Sequence, residues 1–135
     1  MPKVGWRFAA HPFWQAARRQ NQARGVGDLI ASLGFDAVEA VNGSPTPSMW
    51  AANRRARRCN AGLGRPVVGG SDAHIAEAVG WAHTLFPGRT PEDLRRAVSA
   101  GTTQPASRPF GLPGLTRYLA WGLDVQSRQV APAAS

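Results

Sequence analysis

Between Phe35 and Gly70 the sequence reads as one strand–helix–strand unit, and that unit limits the fold more than any other feature. Phe35-Asp36-Ala37-Val38-Glu39-Ala40-Val41 is a largely apolar run of strand length, and Asn42-Gly43-Ser44-Pro45 is the turn after it. Thr46 supplies an N-cap and Pro47 a first-turn proline, and Met49, Ala52, Ala56, Cys59 and Leu63 then keep roughly helical spacing on one face. The other faces carry Arg54, Arg55, Arg57 and Arg58, which read as a solvated surface. Gly62 and Gly64 end this helix before a further strand, Pro66 to Gly70. A strand, a crossover helix and a second strand imply parallel pairing, so the chain is α/β.

The flanking segments repeat the pattern. Val4 to Ala10 reads as a buried strand stopped by His11-Pro12, and Phe13 to Gly25 as polar, basic helix and loop. Asp28 then precedes Leu29, Ile30 and Leu33, an apolar stripe at helical spacing closed by Gly34. A fourth strand is expected over Gly80–Phe86. A helix follows with Thr90 as N-cap, Pro91 at its first position, Asp93 in its first turn and Gly101 at its end. Beyond Thr102 the chain is rich in proline and glycine, with one short helix expected around Leu115 to Trp121 and a disordered tail from Gln129 to Ser135. Residues 1–103 are therefore read as the domain and 104–135 as an extension of it.

In parallel α/β architectures, ligands collect at the carboxyl ends of the strands. Asp72 and His74, in Gly69-Gly70-Ser71-Asp72-Ala73-His74, follow such an end, and in extended backbone they lie on one side and can reach one metal ion. Taken alone, the pair reads more readily as a turn in which Asp72 caps the next segment and His74 is a surface residue, because such pairs arise often by chance and one pair cannot hold a metal; His11 changes that balance. His11, in Phe8-Ala9-Ala10-His11-Pro12, sits at the end of another apolar run. Glu39 could face the same end, but a carboxylate within an apolar strand is expected to be paired with an arginine or backbone donors. Ser71 and Asn42 are expected to shape turns, His83 to be structural and Cys59 to be inert packing.

The order Ala10-His11-Pro12-Phe13, then Gly34-Phe35-Asp36-Ala37-Val38-Glu39-Ala40-Val41-Asn42-Gly43, then Gly69-Gly70-Ser71-Asp72-Ala73-His74 resembles the C-terminal half of the PHP (polymerase and histidinol phosphatase) family. The resemblance runs on through Val79–Phe86 and Leu94–Gly101 and covers most of residues 4–101. It implies a distorted seven-stranded TIM-like (β/α) barrel carrying a cluster of divalent metal ions and hydrolysing phosphate esters. His11 matches the ligand of the family's His-Pro motif, and Asp72 and His74 match the ligands of its last motif. Imidazole and carboxylate suit zinc, manganese or iron. The His-x-His pair with which the family opens, and the ligands after it, are missing from this sequence. The chain is accordingly expected to be the C-terminal part of such a domain, with only the last strands and helices of the barrel.

That expectation sets the partners. Three ligands can hold one metal with an open position, whereas a two-metal site requires ligands from another chain or segment. Docking to a missing N-terminal half, or self-association through exposed strand edges, is expected to follow. The formal charge of +8 favours anionic partners, phosphate esters or nucleic acid, although 15 of the 16 basic residues are arginine, the bias of a GC-rich coding sequence. A second reading is therefore a non-catalytic basic module that binds nucleic acid or a protein partner. A single cysteine, the lack of a secretory signal and the lack of a membrane-length apolar run lead to a cytoplasmic expectation.

Overall fold

The structure, a computed structural model, describes residues 5–15 and 25–130, and of Gln129 and Val130 only the backbone. Three parallel strands form its centre: β1 (Phe8–Ala9), β2 (Ala37–Asn42) and β3 (Val67–Gly70), in the order β1-β2-β3. Helix α1 (Pro47–Leu63) is the crossover from β2 to β3. Strands β4 (Ala82–Leu85) and β5 (Gln104–Ser107) pair antiparallel, with α2 (Pro91–Ala100) between them, and α3 (Leu112–Val130) closes the described chain. This is a mixed α/β fold of three α-helices and two small sheets, and no closed barrel forms among the described residues.

The central unit follows its sequence signals closely. The Thr46 hydroxyl accepts a hydrogen bond from the Met49 amide, satisfying one of the free donors of the first turn, and Gly64 takes the left-handed conformation (φ 63°) that ends the helix. Met49, Ala52 and Ala56 are buried against Val38 of β2, with Ala9, Phe13 and Ile30, and Cys59 and Leu63 pack partly buried against the same cluster. On the opposite face of the sheet, Ala37 and Val68 meet Val98 of α2. Alternate residues of β2 thus face different layers, as the two-residue period of a strand requires. In α2 the Thr90 hydroxyl accepts from the Asp93 amide while the Asp93 carboxylate accepts from the Thr90 amide, the reciprocal cap anticipated from the sequence.

Elsewhere the structure corrects the expectations. The first strand is two residues long, because the Ala10 amide turns back to the Phe8 carbonyl at 3.1 Å and ends the ladder; Val4 lies outside the described residues. In place of a helix under Leu29, Ile30 and Leu33 there is a 3-10 turn, Gly27–Ala31, with Leu33 beyond its end, and of the three only Ile30 is buried. The turn has no side-chain cap, and five residues are too few to propagate an α-helix. Beyond Thr103 the sequence signalled one short helix, whereas the structure has β5 and a helix of 19 residues. Proline enters β5 because it is an edge strand, paired with β4 alone in its sheet. Gln129 and Val130, assigned from the sequence to the tail, end α3, and residues 131–135 lie outside the described residues.

Candidate functional site

The carboxyl ends of β1 and β3 bring His11, Asp72 and His74 to the wall of one cavity of about 550 Å3. Parallel pairing does this directly: β1 and β3 flank β2 and run the same way, so the residues just past their ends share one edge of the sheet. Both loops leave their strands abruptly. His11 has φ 29° and Asp72 φ 49°, left-handed conformations that cost a non-glycine residue energy and persist where the surroundings enforce them. At His11 the enforcement is visible. Its amide donates to Glu39 Oε2 at 2.6 Å, and its carbonyl accepts from the Trp14 amide at 3.0 Å.

Glu39 is the buried anchor beneath this edge. Besides the His11 amide, its Oε2 accepts from Asn42 Nδ2 at 3.2 Å. Burial pushes its carboxyl pKa above the ordinary value; the hydrogen bonds from His11 and Asn42 oppose that shift, and the nearby charge of Asp72 adds to it. The expectation that backbone donors pair it holds at His11. Sequence reasoning nevertheless missed that the paired amide belongs to a site residue. The Gly69-Gly70 pair supplies the room: a Cβ on Gly70 would come within 2.5 Å of Glu39 Oε1. An irregularity in the β2–β3 register between Glu39 and Val41 lies beside this carboxylate, as bulges often do next to functional edges.

Asn42 ties the end of β2 to both neighbouring helices. Its amide donates to Asn53 Oδ1 at 3.0 Å and its carbonyl accepts from Asn53 Nδ2 at 2.9 Å, which fixes α1. Its Oδ1 accepts from the Ser44 amide at 2.9 Å, the turn expected of it. Ser44 in turn shares a buried hydrogen bond of 2.9 Å with the Tyr118 hydroxyl of α3.

Helix α3 roofs the cavity. The Trp121 ring is stacked on His74 with centroids 4.4 Å apart and planes 13° from parallel, and His74 Nε2 lies 3.8 Å from Asp72 Oδ1. His11 stands edge-on to Trp14 at 5.8 Å, and its Nδ1 is buried without a hydrogen-bond partner. Asp72 and His74 are therefore brought together and His11 lines the same cavity, but among the described residues no group of three His, Cys, Asp or Glu is arranged to hold a metal ion. Nothing in the sequence near position 74 signals Trp121, because 47 residues separate the two rings. His83 Nδ1 lies 3.3 Å from the Gly80 carbonyl, away from this cluster.

A family model described as PHP-associated matches residues 50–103, from the first turn of α1 to the residue before β5. No curated protein and no solved structure matches the chain significantly. No helix of the described residues is long and apolar enough to cross a membrane.

Proposed function

We propose, with the PHP-associated region at residues 50–103 as the premise, that this chain is the C-terminal part of a PHP-type metal-dependent phosphoesterase, its strands a portion of a TIM-like barrel. His11, Asp72 and His74 would hold a divalent cation, zinc, manganese or iron. One observation carries the reading: His11, far in sequence from Asp72 and His74, lines one cavity with them at the carboxyl edge of a parallel sheet. Two further features fit it. His11 Nδ1 is a buried imidazole nitrogen with no partner, and two of the three residues hold left-handed backbone conformations.

When bound, such a cation supplies a water of lowered pKa and polarises a phosphoryl oxygen. The chain's own contribution is positioning. Glu39 fixes the His11 loop through its amide, and the left-handed turn at Asp72 sets its carboxylate 3.8 Å from the His74 imidazole. Because no three His, Cys, Asp or Glu side chains are arranged around one point among the described residues, holding an ion would require these side chains to shift, or further ligands from an N-terminal segment or a second chain. The edge at β1, a strand of two residues with Phe8 exposed on it, suits such docking.

Elemental analysis after chelator-free purification, with Asp72→Ala in parallel and a generic phosphodiester assay, tests the proposal. Stoichiometric metal lost in the variant is the expected result. A metal-free protein that takes up no added zinc, manganese or iron overturns it.

A further inference from the structure

Ser44 also belongs to the wall of a second cavity, of about 480 Å3, between α1 and the segment that follows β5. Trp50, Arg54 and Arg57 line it from α1 and Arg108 from the other side, with Trp81 and Phe110 beside them. Positions 50, 54 and 57 fall on one helix face, next to the buried stripe of Met49, Ala52 and Ala56. The solvated arginine face expected from the sequence is therefore, for two of its four members, the wall of a groove.

Two of these arginines are held, and none is neutralised. Arg57 Nε donates to the Ala40 carbonyl at 3.3 Å, and an Arg108 guanidinium nitrogen donates to the Val79 carbonyl at 2.7 Å. Neutral carbonyls orient both groups and cancel neither charge. No carboxylate lines the groove among the described residues, and none of the three arginines forms an ion pair there. Arg55, on the same helix, shows the alternative: it pairs with Asp28 at 2.9 Å and lies over the Phe13 ring. Three like charges around one concavity repel until an anion enters, and oriented guanidinium groups match the paired oxygens of a phosphate. Trp50 is half exposed and offers an indole face at the rim, which inorganic phosphate would leave unused.

We propose that this groove is a nucleotide-binding site, in which Arg54, Arg57 and Arg108 take a phosphate and Trp50 stacks on the attached base. The ligand is a free nucleotide or a nucleotide within a single strand, since both present the same phosphate and base. The site shares none of His11, Asp72 or His74, so it stands whether or not a metal binds there.

The test is competition binding on the full chain in the presence of EDTA, read by anisotropy of a short fluorescein-labelled oligothymidylate, with AMP and inorganic phosphate as competitors. Arg54→Glu is expected to weaken binding about tenfold or more and Trp50→Ala about fivefold, with AMP outcompeting phosphate. Arg95→Glu makes the same charge change on α2, beside Asp36 and Pro66 at the opposite end of the strands, and is expected to weaken binding by less than about twofold. Displacement by AMP at concentrations comparable to unlabelled oligonucleotide assigns the site to free nucleotides; displacement by oligonucleotide alone assigns it to a strand. Equal losses for Arg54→Glu and Arg95→Glu, abolition of binding by EDTA, or equal competition by AMP and phosphate with Trp50→Ala unchanged would each overturn the proposal. Circular dichroism of each variant establishes that it is folded.

Discussion

Helices α1 and α3 both bear on the candidate site, but they are attached to the molecule in different ways. Helix α1 is capped at both ends, buries Met49, Ala52, Ala56 and Asn60, and is tied to β2 by the Asn42–Asn53 pair. Helix α3 is two residues longer, yet on it Leu112, Leu119 and Leu123 are exposed, and Tyr118 is its buried large side chain. Its attachments include the Tyr118–Ser44 hydrogen bond, the stacking of Trp121 on His74, the Arg117–Glu77 ion pair and a small cluster in which Tyr118 and Trp121 pack with Ala78 and Trp81. Length does not measure attachment. Burial of an apolar stripe makes α1 part of the scaffold, whereas polar and aromatic contacts at a few points make α3 a cover over the site.

The sharpest way to break that contrast is to cut into α1. Met49→Ala removes a side chain that is 2 % exposed and is expected to cost about 2–5 kcal/mol in urea unfolding, with all probes of structure lost together. A smaller loss that left β2 intact would show that α1 is not integral to the scaffold. Thr46→Ala removes the cap alone and is expected to cost about 1 kcal/mol by the same measurement. Trp121→Ala removes a stacking contact of about 0.5–1.5 kcal/mol, and the loss is expected to be local. Hydrogen exchange should quicken in α3 and leave α1 protected; equal acceleration in both helices would erase the distinction between scaffold and cover.

The smallest effect concerns α2. Donation from the Arg89 and Thr90 amides and the Thr90 hydroxyl holds the partly buried Asp93 carboxyl at about 2, below its ordinary 3.8. A depressed carboxyl pKa contributes stability that is present above the unfolded value and is lost as pH falls through the folded one. Asp93→Asn should therefore flatten the thermal-stability profile between about pH 4 and pH 2, while the scaffold variants shift the whole profile without changing its slope there. An unchanged slope in Asp93→Asn would remove the cap from the account.

The elements that were legible in the sequence are those whose signals act over a few residues. Thr46 with Pro47 and Thr90 with Pro91 mark the starts of α1 and α2 because an N-cap side chain accepts from an amide three positions on, and Gly64 and Gly101 mark their ends because glycine takes the left-handed backbone and its own amide reaches a carbonyl three or four positions back. The stripe Leu29-Ile30-Leu33 misled because periodicity says nothing of whether a layer exists to cover each residue; Leu29 is 63 % exposed. Strand β5 was invisible because Gln104-Pro105-Ala106-Ser107 has little strand character of its own and takes its conformation from β4.

The site divides along the same line. Part of its position was legible in sequence: the crossover helix between β2 and β3 implies parallel pairing and puts Asp72 and His74 past a strand's carboxyl end, whereas the pairing of β1 that brings His11 to the same edge is seen only in the structure. Only tertiary structure decided how those side chains are engaged. The Glu39 carboxylate reaches the His11 amide across 28 positions, Tyr118 reaches Ser44 across 74, and Trp121 covers His74. Backbone chemistry within a turn is written in neighbouring residues, whereas these contacts exist only after the sheet and α3 have packed, and no short stretch of the chain carries them.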